Sequence, residues 1–265
     1  MDVFSLRTFC VITGASKGFG ASIAVRFAAR FPKDSVLLLL ARSIDGLART
    51  KSLIEAESPH IKVFTIGVDL AKADSSHLDR IISDTLSDLS STSSTFEQAT
   101  IVHNAATLGD VSKLMSEQCV DEDLHEYWAL NLTSFILLNH VFLKHFPKQL
   151  FRQRVVVGIS SICALQPFKS WSLYCAGKAA RDMLLRTMAL EDSSVQVLTY
   201  APGPIDTDMQ YEARSYTADD ELRNMFADMK ETKKLLHCDQ SVDKLISVLQ
   251  KNTFDSGAHI DYYDI

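Results

Sequence analysis

Apolar residues recur along this chain in short runs separated by segments of helical spacing. The runs fall at 8–13 (TFCVIT), 35–41, 61–68, 100–104, 154–160, 195–201 and 258–262. Several, such as VLLLLA at 36–41, are apolar at every position instead of alternating. A strand covered on both faces reads that way, whereas a half-solvated strand alternates apolar and polar. Between the runs, helix-like periodicity predicts helices around 19–30, 45–57, 75–89, 122–146, 172–191 and 216–250. Strands alternating with helices predict parallel βαβ units with right-handed crossovers. The expected fold is therefore α/β, a doubly wound parallel sheet of about seven strands with helices on both faces. The serine-rich stretch SSTSST at 90–95 predicts a surface loop rather than a linker.

Composition narrows this picture. A chain of 265 residues with 46% hydrophobic content can bury one large core, so a single domain over 1–265 is expected. The net charge of −6 carries mixed signs and no basic stripe, which argues against nucleic acid or an anionic membrane as partner. The apolar runs are strand-sized, so none is expected to span a bilayer. The opening MDVFSLRTF enters the first strand with no charged segment and long apolar stretch ahead of it, which predicts no secretory leader. Five scattered cysteines (Cys10, Cys119, Cys163, Cys175, Cys238) without a C-x-x-C pair suit a reduced, cytoplasmic protein. The eight histidines show no ligand spacing, and no metal site is expected.

The first chemical signal follows the first strand: Gly14-Ala15-Ser16-Lys17-Gly18-Phe19-Gly20, then an amphipathic helix pattern. A strand, a glycine turn and a helix start aim backbone N–H groups and a positive dipole end at a pyrophosphate. This makes the sheet Rossmann-type and implies a dinucleotide. The spacing is G-x3-G-x-G rather than the commoner G-x-G-x-x-G, and alone it leaves open a glycine turn with no ligand. The second strand ends Ala41-Arg42-Ser43, without the acid that holds the ribose 2′-hydroxyl of NAD. Arg42 and Lys17 could together pair with a 2′-phosphate, which selects NADP(H). Each could also be a solvated surface charge.

The second signal is Ser161-x12-Tyr174-x3-Lys178. Tyr174 and Lys178, four apart, share one face of a helix. A free phenol has a pKa of about 10, and a neighbouring cation is expected to pull it toward neutrality, where acid–base chemistry is efficient. Ser161, at the end of the preceding strand, can hydrogen-bond the oxygen that Tyr174 protonates. Those are the groups needed to reduce a carbonyl once hydride is supplied. Cys163 and Cys175 flank this set, and buried packing is a better reading of them than a nucleophile.

These segments, with Asp69-Leu70, Asn104-Ala105-Ala106, Asn131 and Pro202-Gly203-Pro204, resemble the short-chain dehydrogenase/reductase family over nearly the whole chain. Longer blocks at 104–113, 127–134, 160–184, 200–210 and 256–264 resemble its pterin-reducing members. The resemblance implies NADPH-dependent reduction of a pterin side-chain carbonyl in the last steps toward tetrahydrobiopterin. It places Asp69 and Leu70 at the adenine, Asn104 beside a ribose and Lys178 on the nicotinamide ribose. Ile205, Asp206, Thr207, Asp208, Met209 and Gln210 would wrap the nicotinamide end. Asn131 would hold a proton-relay water for Lys178, although a buried, satisfied amide is the plainer reading.

For the substrate, the resemblance implies contacts from Ser161, Ile162, Tyr174, Gly203 and Asp261. The Asp261 carboxylate would accept parallel bonds from the pterin 2-amino and ring N–H groups. Phe168, Trp171 and Tyr211 are candidates to face the flat ring, and a helical segment around 205–250 would cover it. A homodimer packed through 122–146 and 172–191 is also implied. His103, read as structural, and Ile162 depart slightly from the family's pattern. Two other functions stay open: a broader carbonyl or diketone reductase, and a non-catalytic NADP-binding regulator. The intact Ser/Tyr/Lys set argues against the regulator.

Overall fold

The computed structural model describes residues 2–89, 95–118 and 121–264. Cys119 and positions 90–94 of the serine-rich stretch lie outside the described residues. The strands are β1 (Thr8–Thr13), β2 (Val36–Ala41), β3 (Lys62–Gly67), β4 (Gln98–His103), β5 (Gln153–Ile159), β6 (Val195–Ala201) and β7 (Ala258–Asp261). They form one sheet in the order β3-β2-β1-β4-β5-β6-β7, with each neighbouring pair parallel. The expected fold class is the one observed.

The helices are α1 (Gly18–Ala28), α2 (Ile44–Glu57), α3 (Ser75–Leu89), α4 (Asp121–Trp128), α5 (Ser134–His145), α6 (Ser172–Glu191), α7 (Asp208–Tyr216), α8 (Asp220–Glu231) and α9 (Cys238–Lys251). Period-two geometry explains why the strands are apolar throughout. Cys10, Ile12, Leu37 and Leu39 face one core with Ile23 and Phe27 of α1 and Leu245 and Leu249 of α9. Phe9, Val11, Leu38 and Leu40 face the other, with Leu78 and Ile82 of α3, Phe135 and Phe142 of α5 and Leu185 of α6. Each such side chain, fully buried, contributes about 1.5–3 kcal/mol. In α3 the buried positions Leu78, Ile81, Ile82, Thr85 and Leu89 trace a single stripe.

Two helical expectations are revised. The 122–146 segment is interrupted by a five-residue π-turn, Ala129–Thr133, between α4 and α5. The 216–250 segment is not one helix but α8 and α9, and α7 begins earlier, at Asp208. Asp219 caps α8, its carboxylate accepting from Leu222 N at 3.0 Å. Such a cap starts a new helix within a polar stretch that periodicity alone does not divide.

Strand order reverses between β1 and β4, because the chain leaves β3 and re-enters the sheet on the far side of β1. A crevice opens there beyond the carboxyl ends of the strands. Helix α6 lies close over β5 because of Gly158: a Cβ there would stand 2.5 Å from Leu185 Cδ1.

Candidate active site

The crevice is a cavity of about 1350 Å³ running from the glycine turn to β7. That exceeds the roughly 300–1,000 Å³ of ordinary small-molecule pockets and suits two ligands side by side. Every candidate site residue lines it except Ala15 and Asn131, and the ring candidate Tyr211 is also absent from its walls. Ala15 turns into the core, where its carbonyl accepts from Thr50 Oγ1 at 2.9 Å. Tyr211 is exposed, with Arg214 over its ring at 5.0 Å.

At the dinucleotide end, Gly14 takes a φ of 67° that other residues adopt only with strain, and its N–H donates to Leu40 O at 2.7 Å. A Cβ on Gly20 would lie 2.3 Å from Gly14 O, so the turn closes only with glycine there. Asn104 braces it, with Nδ2 donating to Thr13 O at 3.0 Å and Gly14 O at 3.2 Å. Helix α1 begins without a side-chain cap and without an acid in its first turn. Its N–H donors therefore face the cavity, as a pyrophosphate requires. Ser43 caps α2 by accepting from Gly46 N at 3.1 Å. Asp69 accepts from Ala71 N at 3.1 Å.

The two basic residues expected at a 2′-phosphate differ. Arg42 is exposed, lines the cavity and forms no ion pair with any described residue. Lys17 instead pairs with Asp208 Oδ2 at 2.6 Å, tying the glycine turn to the start of α7. Asp206 is likewise engaged, accepting from Lys230 Nζ at 2.6 Å. Gln210 donates from Nε2 to Phe226 O at 3.2 Å and accepts from Arg214. These polar groups hold α7 and α8 over the cavity edge. Thr207 and Met209 remain on its wall, with Met209 Sδ 4.0 Å from the Tyr174 hydroxyl.

Ser161, Tyr174 and Lys178 meet at the middle of the cavity. Ser161 begins a short 3₁₀ turn, Ile162–Ala164, with Oγ accepting from Cys163 N at 3.2 Å. Lys178 is buried, donates to Ile159 O at 2.7 Å and lies 5.4 Å from the centre of the Tyr174 ring. Burial, then the nearby Arg181 cation, lowers its ammonium pKa from 10.5 to about 7. The expectation that Lys178 draws the phenol toward neutrality is corrected. Burial dominates and pushes Tyr174 upward, against smaller downward pulls from Arg181 and from a hydrogen bond with Ser161. Cys163 is buried and Cys175 half-buried beside this set, with Cys175 Sγ 3.9 Å from Gln166 O.

Sequence reasoning missed Arg181. It is buried one turn beyond Lys178 and donates from Nε to Asn131 O and from a terminal nitrogen to Ala105 O at 3.0 Å. The Asn131 side chain is also satisfied, by Thr107 N and Tyr127 O, both at 3.1 Å. The π-turn thus delivers a carbonyl to Arg181 rather than an amide to the cavity. His103 is structural, as read: buried, bonded to Asn139 Oδ1 at 3.1 Å, and held neutral by burial with a pKa lowered to about 3.

At the far end, Asp261 is half-buried on the wall, and its Oδ1 accepts from Tyr263 N at 2.9 Å. Each carboxylate oxygen has two acceptor positions, so both still offer one to a ligand. Phe168 and Trp171 also line the cavity, Trp171 edge-on to Tyr174 at 5.3 Å, together with Met225, Phe226 and Met229 of α8, which sequence reasoning did not single out. Trp171 stacks on Phe226 at 5.2 Å and donates to Thr217 Oγ1 at 3.0 Å. The pair at 225–226 with 229 marks one apolar stripe on α8, the signal that could have shown them.

Residues 8–218 match the family described as short chain dehydrogenase. The chain is 45% identical over 255 residues to a sepiapterin reductase of Meriones unguiculatus, covering 96% of each. It is 43% identical over 258 residues to that of Bos taurus, covering 97% of this chain and 95% of the relative. Among solved structures, a short chain dehydrogenase from Shigella flexneri complexed with NADP superposes with a TM-score of 0.76 at 20% identity, over 98% of this chain and 99% of that one. The glycine turn, the Ser161/Tyr174/Lys178 centre and this likeness across nearly the full length agree: the chain belongs to the short-chain dehydrogenase/reductase family and is a nicotinamide-dependent oxidoreductase of that type.

Proposed function

We propose that this enzyme uses NADPH to reduce the side-chain carbonyl of a pterin, in the final steps of tetrahydrobiopterin formation. The observation that carries this reading is a single cavity holding the Ser161/Tyr174/Lys178 centre and the Asp261 carboxylate. An apolar aromatic wall suits a flat ring between them, and the likeness to sepiapterin reductases supports the substrate.

The glycine turn, Arg42, Ser43, Asp69, Leu70, Asn104 and the 205–210 stretch would hold the dinucleotide, with Lys178 reaching its nicotinamide ribose. Arg42, which forms no ion pair with any described residue, would read the 2′-phosphate. NADPH, when bound, supplies the hydride. Tyr174 is kept protonated by burial, which is the state needed to give a proton to the alkoxide forming on the substrate. Ser161 would orient and stabilise that oxygen. Once Tyr174 has given its proton, the Arg181 cation stabilises the phenolate, and burial, which raises the phenol's pKa, favours its reprotonation. Helices α7 and α8 would cover the substrate within a single domain. The enzyme would be a cytoplasmic homodimer, and exposed Ile136 on α5 with Met183, Leu184 and Leu190 on α6 offers the apolar surface for pairing.

The test is NADPH oxidation with sepiapterin beside a panel of small diketones, for wild type and Asp261→Asn. The amide turns one acceptor oxygen into a donor facing the ring's own N–H groups, a loss of about 2–4 kcal/mol in pterin recognition. A small diketone out of reach of Asp261 should feel almost none of it. Equal losses for both substrates, or no change in either, would remove Asp261 as the pterin anchor.

A further inference from the structure

Two oxygens of one buried carboxylate join the strand that leads into Ser161 to the strand that carries Asp261. Asp182, one turn after Lys178 on α6, is 1% exposed. Its Oδ1 accepts from Ser160 Oγ at 2.7 Å and its Oδ2 from His259 Nδ1 at 2.5 Å. A carboxylate only accepts, so the ring proton sits on Nδ1. Ser160 directly follows β5, and its N–H continues the ladder by donating to Tyr200 O of β6 at 2.7 Å. His259 lies in β7, two strands away in the order β5-β6-β7. Asp182 thus reaches across β6 and ties together two strands that share no ladder.

The strand β7 depends on such a tie. It is four residues long, ends the sheet with β6 on one side only, and has no fully buried residue. Neither a second ladder nor deep apolar packing fixes it, so side-chain bonds weigh more in its placement than they would for a central strand. His259 and Asp261 share one face of β7, a single strand repeat of about 6.6 Å apart. At the other end of the tie, Ser160 is the residue before Ser161. Ser161 and Asp261 both line the cavity. Parting Asp182 from His259 would leave a buried carboxylate short of a donor, which makes the tie hard to stretch.

We propose that Asp182 and His259 are positioning residues that fix the span between the Ser161 hydroxyl and the Asp261 carboxylate, so that the enzyme selects substrates long enough to touch both. Neither residue contacts the substrate; they act through the strand that carries Asp261. This rests on the pterin reading above and deepens it, because it makes substrate length a property of the Ser160–Asp182–His259 tie.

The test uses the full chain with NADPH, sepiapterin and 2,3-butanedione, a diketone too short to span the two groups. His259→Phe keeps a planar ring but removes the donor to Asp182. It should raise the sepiapterin KM about tenfold, the scale of one lost hydrogen bond, with sepiapterin kcat, butanedione kinetics and NADPH affinity within about twofold of wild type. His259→Asn, which keeps an N–H donor where Nδ1 lies, should restore most of the sepiapterin KM. His259→Leu takes the place of the phenylalanine variant if that form does not fold. A wild-type sepiapterin KM in the donor-less variant, equal losses for both substrates, or no recovery in His259→Asn overturns the inference while leaving the pterin reading intact. A wild-type enzyme that reduces butanedione but not sepiapterin overturns both.

Discussion

Lys178 carries a measurable cost of burial. Its ammonium is lowered from 10.5 to about 7, with desolvation the largest cause. Between those two values the unfolded chain holds a proton on this amine that the folded chain has released. Stability therefore rises with pH across that window, by roughly 1.4 kcal/mol per pH unit. Below about pH 7 both states are protonated and the full cost is present, on the order of 5 kcal/mol. Lys178→Met replaces the amine with an apolar chain of similar length and removes that term. Urea unfolding of wild type and variant, without nucleotide, at pH 7, 8 and 9 gives the difference directly, because other titrating groups largely cancel. The variant should be the more stable at pH 7, and its advantage should shrink by about 2–3 kcal/mol by pH 9, while carbonyl reduction is lost. A stability difference constant across that range would show that the amine is not desolvated as described.

Two further outcomes follow from the site. Tyr174→Phe should lower kcat about a hundredfold, near 2.7 kcal/mol, while NADPH binding measured by fluorescence titration is retained; near-normal turnover would take the proton-donor role from Tyr174. Arg42→Ala should weaken NADPH far more than NADH in the same titration, since only NADPH carries the extra phosphate, and equal losses would show that Arg42 does not read it.

How much of the site could be read without coordinates depended on whether its residues were close in sequence. The glycine turn and the Tyr174/Lys178 pair were legible because local geometry makes them: a strand–turn–helix junction and one helical turn. Asp261 was legible only through resemblance, since nothing in a lone carboxylate near residue 260 announces a ligand. Arg181 and the Asp182–His259 pair were not legible. Their meaning lies in partners far along the chain, with His259 and Asp182 77 residues apart. The electrostatics of Tyr174 were misjudged for a related reason. Sequence spacing shows that a cation is nearby but not how deeply both groups are buried, and burial is the largest influence on each of them.

The chain's local pattern was enough to determine the parallel α/β sheet, since a strand apolar on both faces needs helices on both faces, and the glycines marked where the backbone turns tightly between β1 and α1. Tertiary structure decided what the pattern leaves open. It split 216–250 into two helices, spent Lys17, Asp206 and Asp208 on ion pairs with residues far along the chain or on another helix, and gave the Asn131 carbonyl to Arg181. The physical reason is range: periodicity and turn chemistry act over a few residues, whereas desolvation and hydrogen-bond partnership are set by whatever the fold brings within a few ångströms.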